Sequence, residues 1–380
     1  MNNDTNPNEQ SGDPISGPTT ERGFESFVSE PERAPSRKRS RRESEFSDEI
    51  NDLLERVGAD TQSYEASLVR DLIDSAIKLI PDGRHSGELK LVSAAVKEMR
   101  YAYRVFARYP EPKKITIFGS ARTPEDHPDY IAAVEFSKMM ADHGWMVITG
   151  AGGGIMQAGH VGPGREQSFG VAIRLPFETT ANHVITGDDK LIHFRYFFTR
   201  KLMFLSQSQA ISLFPGGFGT MDEAYEALTL IQTGKAPIMP VVLLEGAGNT
   251  YWEKFDTWVR TALLDGGFIS KEDLHLYHIS HSAQDACDHI QRFYRNYHSS
   301  RYVGDQLVIR IKHKLSQQDI SALADEFGVL IEEGTITQQD ALPQEQVHLD
   351  LPRLVFTHTK HKFGLLRAMI DRINSFDVMG

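Results

Sequence analysis

Apolar residues recur at helical spacing over residues 48–57 and again over 63–80, where Leu68, Leu72, Ile73, Ala76, Ile77 and Ile80 form one stripe. Pro81-Asp82-Gly83 predicts a turn, and a third helical pattern covers 89–106 before Pro110 and Pro112 interrupt it. These helices are expected to pack on the side of the domain that follows. Beyond Pro112 the period changes. Short apolar runs at 115–118, 146–149, 169–173, 210–214 and 240–244 read as strands, with shorter extended pieces near Val184 and Leu191. Helical patterns alternate with them at 130–143, 197–207, 221–233, 251–265 and 283–297.

That alternation predicts an α/β fold, a doubly wound, mostly parallel Rossmann-like sheet with helices on both faces. From Tyr302 the rhythm differs again, with strand patterns at 307–311, 329–332 and 354–357 and helical ones at 317–327 and 363–373. The resulting organisation is a tail over 1–45, a helical segment over 46–110, a Rossmann-like domain over 111–300, and a small α+β appendage over 301–380.

Composition adds the tail and removes several classes of partner. Residues 1–45 are rich in Asn, Ser, Pro, Glu and Arg and nearly free of aliphatics, so they are expected to be disordered. The run Arg37-Lys38-Arg39-Ser40-Arg41-Arg42 within them reads either as part of a solvated tail, the favoured reading, or as a nucleic-acid or targeting patch. A net charge of −11 argues against nucleic acid as the main partner of the folded part, while leaving room for small phosphorylated ligands. No apolar run is long enough to span a membrane and residues 1–20 carry no apolar secretory core, so a cytoplasmic protein is expected. The single cysteine, Cys287, lies on a predicted helix face and reads as a small buried apolar residue. His275, His278 and His281, and the pair His358 and His361, lack a matched Cys or carboxylate set, so no metal site is assigned to them.

Candidate chemistry gathers where strand patterns end. The stretch Ser212-Leu213-Phe214-Pro215-Gly216-Gly217-Phe218-Gly219-Thr220-Met221-Asp222-Glu223 runs from a strand through a Gly-rich turn into a helix. Such a junction lets backbone N–H groups and the positive helix end meet an anion. Two further strand ends carry Gly119-Ser120-Ala121-Arg122 and Gly150-Ala151-Gly152-Gly153-Gly154-Ile155-Met156, which together predict one donor-rich crevice. Neither a clean G-x-G-x-x-G nor a Walker A loop occurs, so NAD and ATP are not the leading ligands and no cofactor is assigned. In Phe197-Phe198-Thr199-Arg200-Lys201-Leu202-Met203-Phe204, two adjacent cations on an apolar helix either project into solvent or face the crevice.

The combination of Pro215-Gly216-Gly217-Phe218-Gly219-Thr220-Met221-Asp222-Glu223 with Arg200-Lys201 and the turn Gly150 to Met156 resembles the LOG family over residues 112–297. Its members are cytokinin riboside 5′-monophosphate phosphoribohydrolases and related nucleotide 5′-monophosphate nucleosidases, often labelled possible lysine decarboxylases. The resemblance implies hydrolysis of the N-glycosidic bond of AMP-like nucleoside 5′-monophosphates by a homodimer. It implies catalytic roles for Arg200 and Glu223. Gly216, Gly217, Gly219 and Thr220 would hold the 5′-phosphate, with Ser120, Gly152, Gly153, Gly154, Met156 and Lys201 also lining the nucleotide. Gln157 stands where longer members carry Glu, which leaves a nucleotide-binding protein with little catalysis as the alternative.

Overall fold

A computed structural model describes residues 41–174 and 181–377 of the chain. The expected tail therefore lies outside the described residues, except that helix α1 (Arg41–Arg56) already begins within the end of the basic run. Helix α2 (Tyr64–Lys78) starts at an N-cap, Ser63, whose hydroxyl accepts from the Ala66 N–H. It packs on α1 around Ile50, Leu54 and Ala66, a small cluster separate from the main core. Helix α3 (Ser86–Phe106) reaches that core through Ala102, Val105 and Phe106.

Seven strands then form one parallel sheet: β1 (Lys114–Phe118), β2 (Met146–Thr149), β3 (Ser168–Ile173), β4 (Leu191–Phe194), β5 (Ala210–Leu213), β6 (Val241–Leu244) and β7 (His278–Ser280). Their order is β4-β3-β2-β1-β5-β6-β7. Helices α4 (Pro128–Asp142), α5 (Ile155–Val161), α6 (Phe197–Ser206), α7 (Phe218–Gln232), α8 (Tyr251–Trp258) and α9 (Ala283–Phe293) connect and flank them. Because helices cover the sheet, its central strands are buried along their whole length and read as continuous apolar runs. Lys114 and Thr116 are the polar residues within β1: the Lys114 ammonium donates to the carbonyls of Tyr109 and Pro112, and the Thr116 hydroxyl meets that of Ser208.

The remaining chain forms a four-stranded antiparallel sheet of order β10-β11-β9-β8, from β8 (Tyr297–Val303), β9 (Gln306–Ile311), β10 (Ile331–Gln339) and β11 (Arg353–His358). Helices α10 (Gln317–Glu326) and α11 (Phe363–Ser375) pack with it. The buried Glu345 carboxylate closes this unit, accepting from Arg310 Nη2 at 2.7 Å and Arg353 Nε at 2.9 Å.

Several expectations need correction. The helix predicted to run to Tyr297 stops at Phe293, and Tyr297 opens strand β8. Residues around Val184 form a turn instead of an extended piece, and 155–161 form a short helix that the glycine-rich pattern hides. The last strand pattern before residue 340 is longer than predicted, from Ile331 to Gln339. Helix α8 ends at Trp258 and passes into a wider π-helical turn, Val259–Leu264. Cys287 is buried as expected, and burial pushes its thiol up to about 11. Among the described residues no helix is long and apolar enough to cross a membrane.

The end of α7 meets the C-terminal unit at Gly234, whose φ of +68° is left-handed and whose added methyl would lie 2.2 Å from the Phe363 ring. Gly234→Ala is therefore expected to destabilise the protein by about 2–4 kcal/mol, through backbone strain and overpacking together. Chemical denaturation of the two proteins measures it.

Candidate functional site

The chain proceeds outward from β1 to β2, β3 and β4 on one side and from β5 to β6 and β7 on the other. The crevice between the carboxyl ends of β1 and β5 is thus the point where strand order reverses, the usual ligand position in such sheets. All three predicted glycine-bearing turns surround it.

Ser120, just past β1, holds the turns together through its backbone. Its N–H donates to the Pro215 carbonyl at 3.2 Å, and its carbonyl accepts from the Ile155 N–H at 3.0 Å. The second contact needs a glycine beside it: Gly154 has φ +58°, and a methyl there would sit 2.3 Å from the Ser120 oxygen. The Ser120 hydroxyl accepts from the Arg122 N–H.

The turn after β2 is fixed by side chains that its own sequence does not announce. Thr149 Oγ1 accepts from the Ala151 N–H, which supports Ala151 at a left-handed φ of 64°. The Asn182 N–H donates to the Ala151 carbonyl, and Asn182 Nδ2 donates to the Gly152 carbonyl at 3.1 Å. His160, fully buried, contacts Thr149, Asn182 and the Phe169 carbonyl. Burial pushes its imidazole down to about 4, so it is neutral at pH 7. Gly153 is exposed at the mouth, and Met156 lies over Gly150 and Gly152. Gln157 donates to the Glu125 carboxylate and the Tyr130 hydroxyl.

The turn after β5 presents the start of α7. Gly217 is its N-cap and offers no side chain, so the first N–H groups of a 15-residue helix face the crevice end without an internal cap. Gly219 is exposed and Thr220 buried, the Thr220 hydroxyl packing against Gly216. Phe218 between them is 96 % exposed.

One turn along α7, Glu223 is 8 % exposed. Burial pushes its carboxyl up to about 7, against the opposing pull of Lys201 and Arg200. Arg200 comes from α6: a methyl on Gly150 would lie 2.9 Å from its Nη2. Its guanidinium stands over the Phe204 ring at 5.1 Å, and burial draws it below its ordinary value while Glu223 offsets part of that effect. Its Nε is buried without a hydrogen-bond partner among the described residues, an unmet donor that a bound anion or carbonyl would satisfy.

Of the residues expected to act together, the structure gathers Ser120, Gly152, Gly153, Gly154, Met156, Arg200, Gly216, Gly217, Gly219, Thr220 and Glu223 around this crevice. Lys201 departs from its expected place as an anion contact. Its ammonium lies 2.7 Å from both Asp222 and Glu226, and its charge also acts on Glu223. Burial would lower it, but those two carboxylates outweigh the burial and hold it above its ordinary value. The histidines considered from the sequence have other partners: His278 stacks on His289 and bonds Asp285, His281 meets Glu245, and His358 bonds the Tyr302 hydroxyl.

Comparison with curated proteins returns no match. Among solved structures, the chain is similar to the molybdenum cofactor carrier protein of Chlamydomonas reinhardtii, at 23% identity over 48% of this chain and 98% of that one, TM-score 0.35. A protein designated TM1055 matches at 20% identity over 47% and 99%, TM-score 0.35. DNA processing protein A of Helicobacter pylori, described as binding single-stranded DNA, matches at 12% identity over 48% and 81%, TM-score 0.34. At such scores these likenesses carry no argument about ligand or reaction. A family profile described as "Possible lysine decarboxylase" matches residues 152–290, the segment that carries the Gly152 to Met156 turn, Arg200 and the whole of Gly216 to Glu223. Residues 152–290 thus match the model of this family, the LOG family that the sequence resembles, and the chain has a Rossmann-like fold.

Proposed function

We propose that the protein hydrolyses the N-glycosidic bond of AMP-like nucleoside 5′-monophosphates, releasing free base and ribose 5-phosphate. The observation that carries this reading is a buried carboxylate, Glu223, beside the Arg200 guanidinium and one helical turn from an uncapped helix start. Gly216, Gly217, Gly219 and Thr220 hold the 5′-phosphate at that helix start, which fixes the ribose over Glu223. Ser120, Gly152, Gly153, Gly154 and Met156 line the rest of the nucleotide.

As the bond between C1′ and the base breaks, its electron pair leaves with the base and positive charge grows on the ribose. Ionised Glu223 stabilises that charge and accepts a proton from the water whose oxygen bonds to C1′; that proton then passes to the departing base, which takes the bond's electron pair, and the carboxylate is regenerated. Arg200, with Lys201, favours the ionised form of Glu223 against the effect of burial, and it offers its unpartnered Nε–H to the leaving base. Lys201, paired with Asp222 and Glu226, acts on Glu223 by its charge instead of touching phosphate.

The family description raises decarboxylation, for which pyridoxal phosphate would be the expected cofactor. The residues do not fit that group: the ammonium of Lys201, on the helix that supplies Arg200, is engaged by two carboxylates and held protonated. A homodimer fits the exposed Phe197, Phe198 and Phe218, which flank the crevice.

Incubation with AMP and a panel of purine, pyrimidine and modified monophosphates is expected to release free base, detected by chromatography. Glu223→Gln should fall by about 10²–10⁴ in kcat while remaining folded. Full activity in that variant would sink the mechanism, and tight AMP binding with no base release by the native protein would assign the site to binding alone. Because the ionised form of Glu223 is the active one, kcat/KM should rise with pH through about 7; a profile that falls there would make the neutral acid the working form. Lys201→Met removes a charge that favours the ionised form, so the rising limb should move to higher pH.

A further inference from the structure

The phosphate turn has a third support that lies outside the glycine-rich stretch. Ser120 holds the turn from the β1 side at Pro215, and Thr220 packs on Gly216 from within α7. On the remaining side the Tyr251 hydroxyl donates to the Gly216 carbonyl at 2.7 Å, across a separation of 35 residues.

Tyr251 is itself firmly held. It opens α8, and its N–H donates to Glu245 Oε2 at 2.8 Å. Glu245 is fully buried at the end of β6, with His281 Nδ1 3.2 Å from its other oxygen. The Tyr251 ring meets the Trp252 ring edge-on at 4.8 Å, and Trp252 Nε1 donates to the Leu244 carbonyl. The hydroxyl is thus delivered by the sheet and not by a mobile loop.

We propose that Tyr251 is a positioning residue for the 5′-phosphate, acting through the Gly216–Gly217 peptide. In a trans peptide the carbonyl and the following N–H point in opposite directions. Fixing the Gly216 carbonyl toward Tyr251 therefore aims the Gly217 N–H away from Tyr251, and the glycines on either side of this peptide leave it otherwise free to rotate. Tyr251 selects the orientation in which Gly217 donates to an anion at the start of α7. This inference rests on the reading of that turn as the phosphate subsite.

Tyr251→Phe deletes the hydroxyl and keeps the ring packing on Trp252, so the protein should fold with a native melting profile. The expected result is a rise of about tenfold in KM for AMP, the scale of one lost hydrogen bond, with hydrolysis of unphosphorylated adenosine unaltered in kcat/KM. A merely structural role would impair both substrates alike, and that outcome, like an unchanged KM for AMP, overturns the proposal. Should the native protein release no base, calorimetric titration with AMP decides separately. Binding about tenfold weaker in Tyr251→Phe supports the clamp even though the hydrolase reading has failed, and equal affinity in the two proteins rejects it.

Discussion

The site depends on one residue's backbone. Ser120 follows the central strand, and its N–H and carbonyl are each spent on a different glycine turn, one after β5 and one after β2. Neither turn has regular structure of its own to fix it. With both tied to the same peptide segment, their spacing is set by the sheet beneath. The glycine at 154 is required for that close approach, so its role is to admit a neighbour's carbonyl as much as to admit a substrate.

Electrostatics then divides the work among charges that adjoin in sequence. Arg200 and Lys201 are consecutive, yet on a helix they diverge by about 100°. One enters the crevice beside Gly150 and Met156, and the other is held by Asp222 and Glu226. Asp222 and Glu223 diverge in the same way on α7, one exposed and one buried. Lys201 is shared by two carboxylates, while burial raises the Glu223 carboxyl to about 7 and leaves Arg200 Nε without a partner among the described residues.

The central strands were legible because burial on both faces writes them as unbroken apolar runs, and the turns because glycine is costly elsewhere. Strand β7 was not, since His278-Ile279-Ser280 is short and two-thirds polar, and β8 was masked by residues such as Tyr297 that also continue the helical pattern of α9. In the site, the glycine turn after β5 and Glu223 could be found from a contiguous motif. Tyr251, Asn182 and His160 could not. Their contacts are with backbone carbonyls or with side chains distant in sequence, and a carbonyl has no signature in the chain. Lys201 misled for a related reason: sequence places it beside Arg200 but does not say which way either points.

Helix α7 carries the crevice at one end and the Gly234 seat for Phe363 at the other. A helix of 15 residues is about 22 Å long. The C-terminal unit therefore abuts the far end of the same helix whose near end borders the crevice. The two sheets of this protein share no strand, and the helix that borders the crevice is also the one against whose end the Phe363 ring sits.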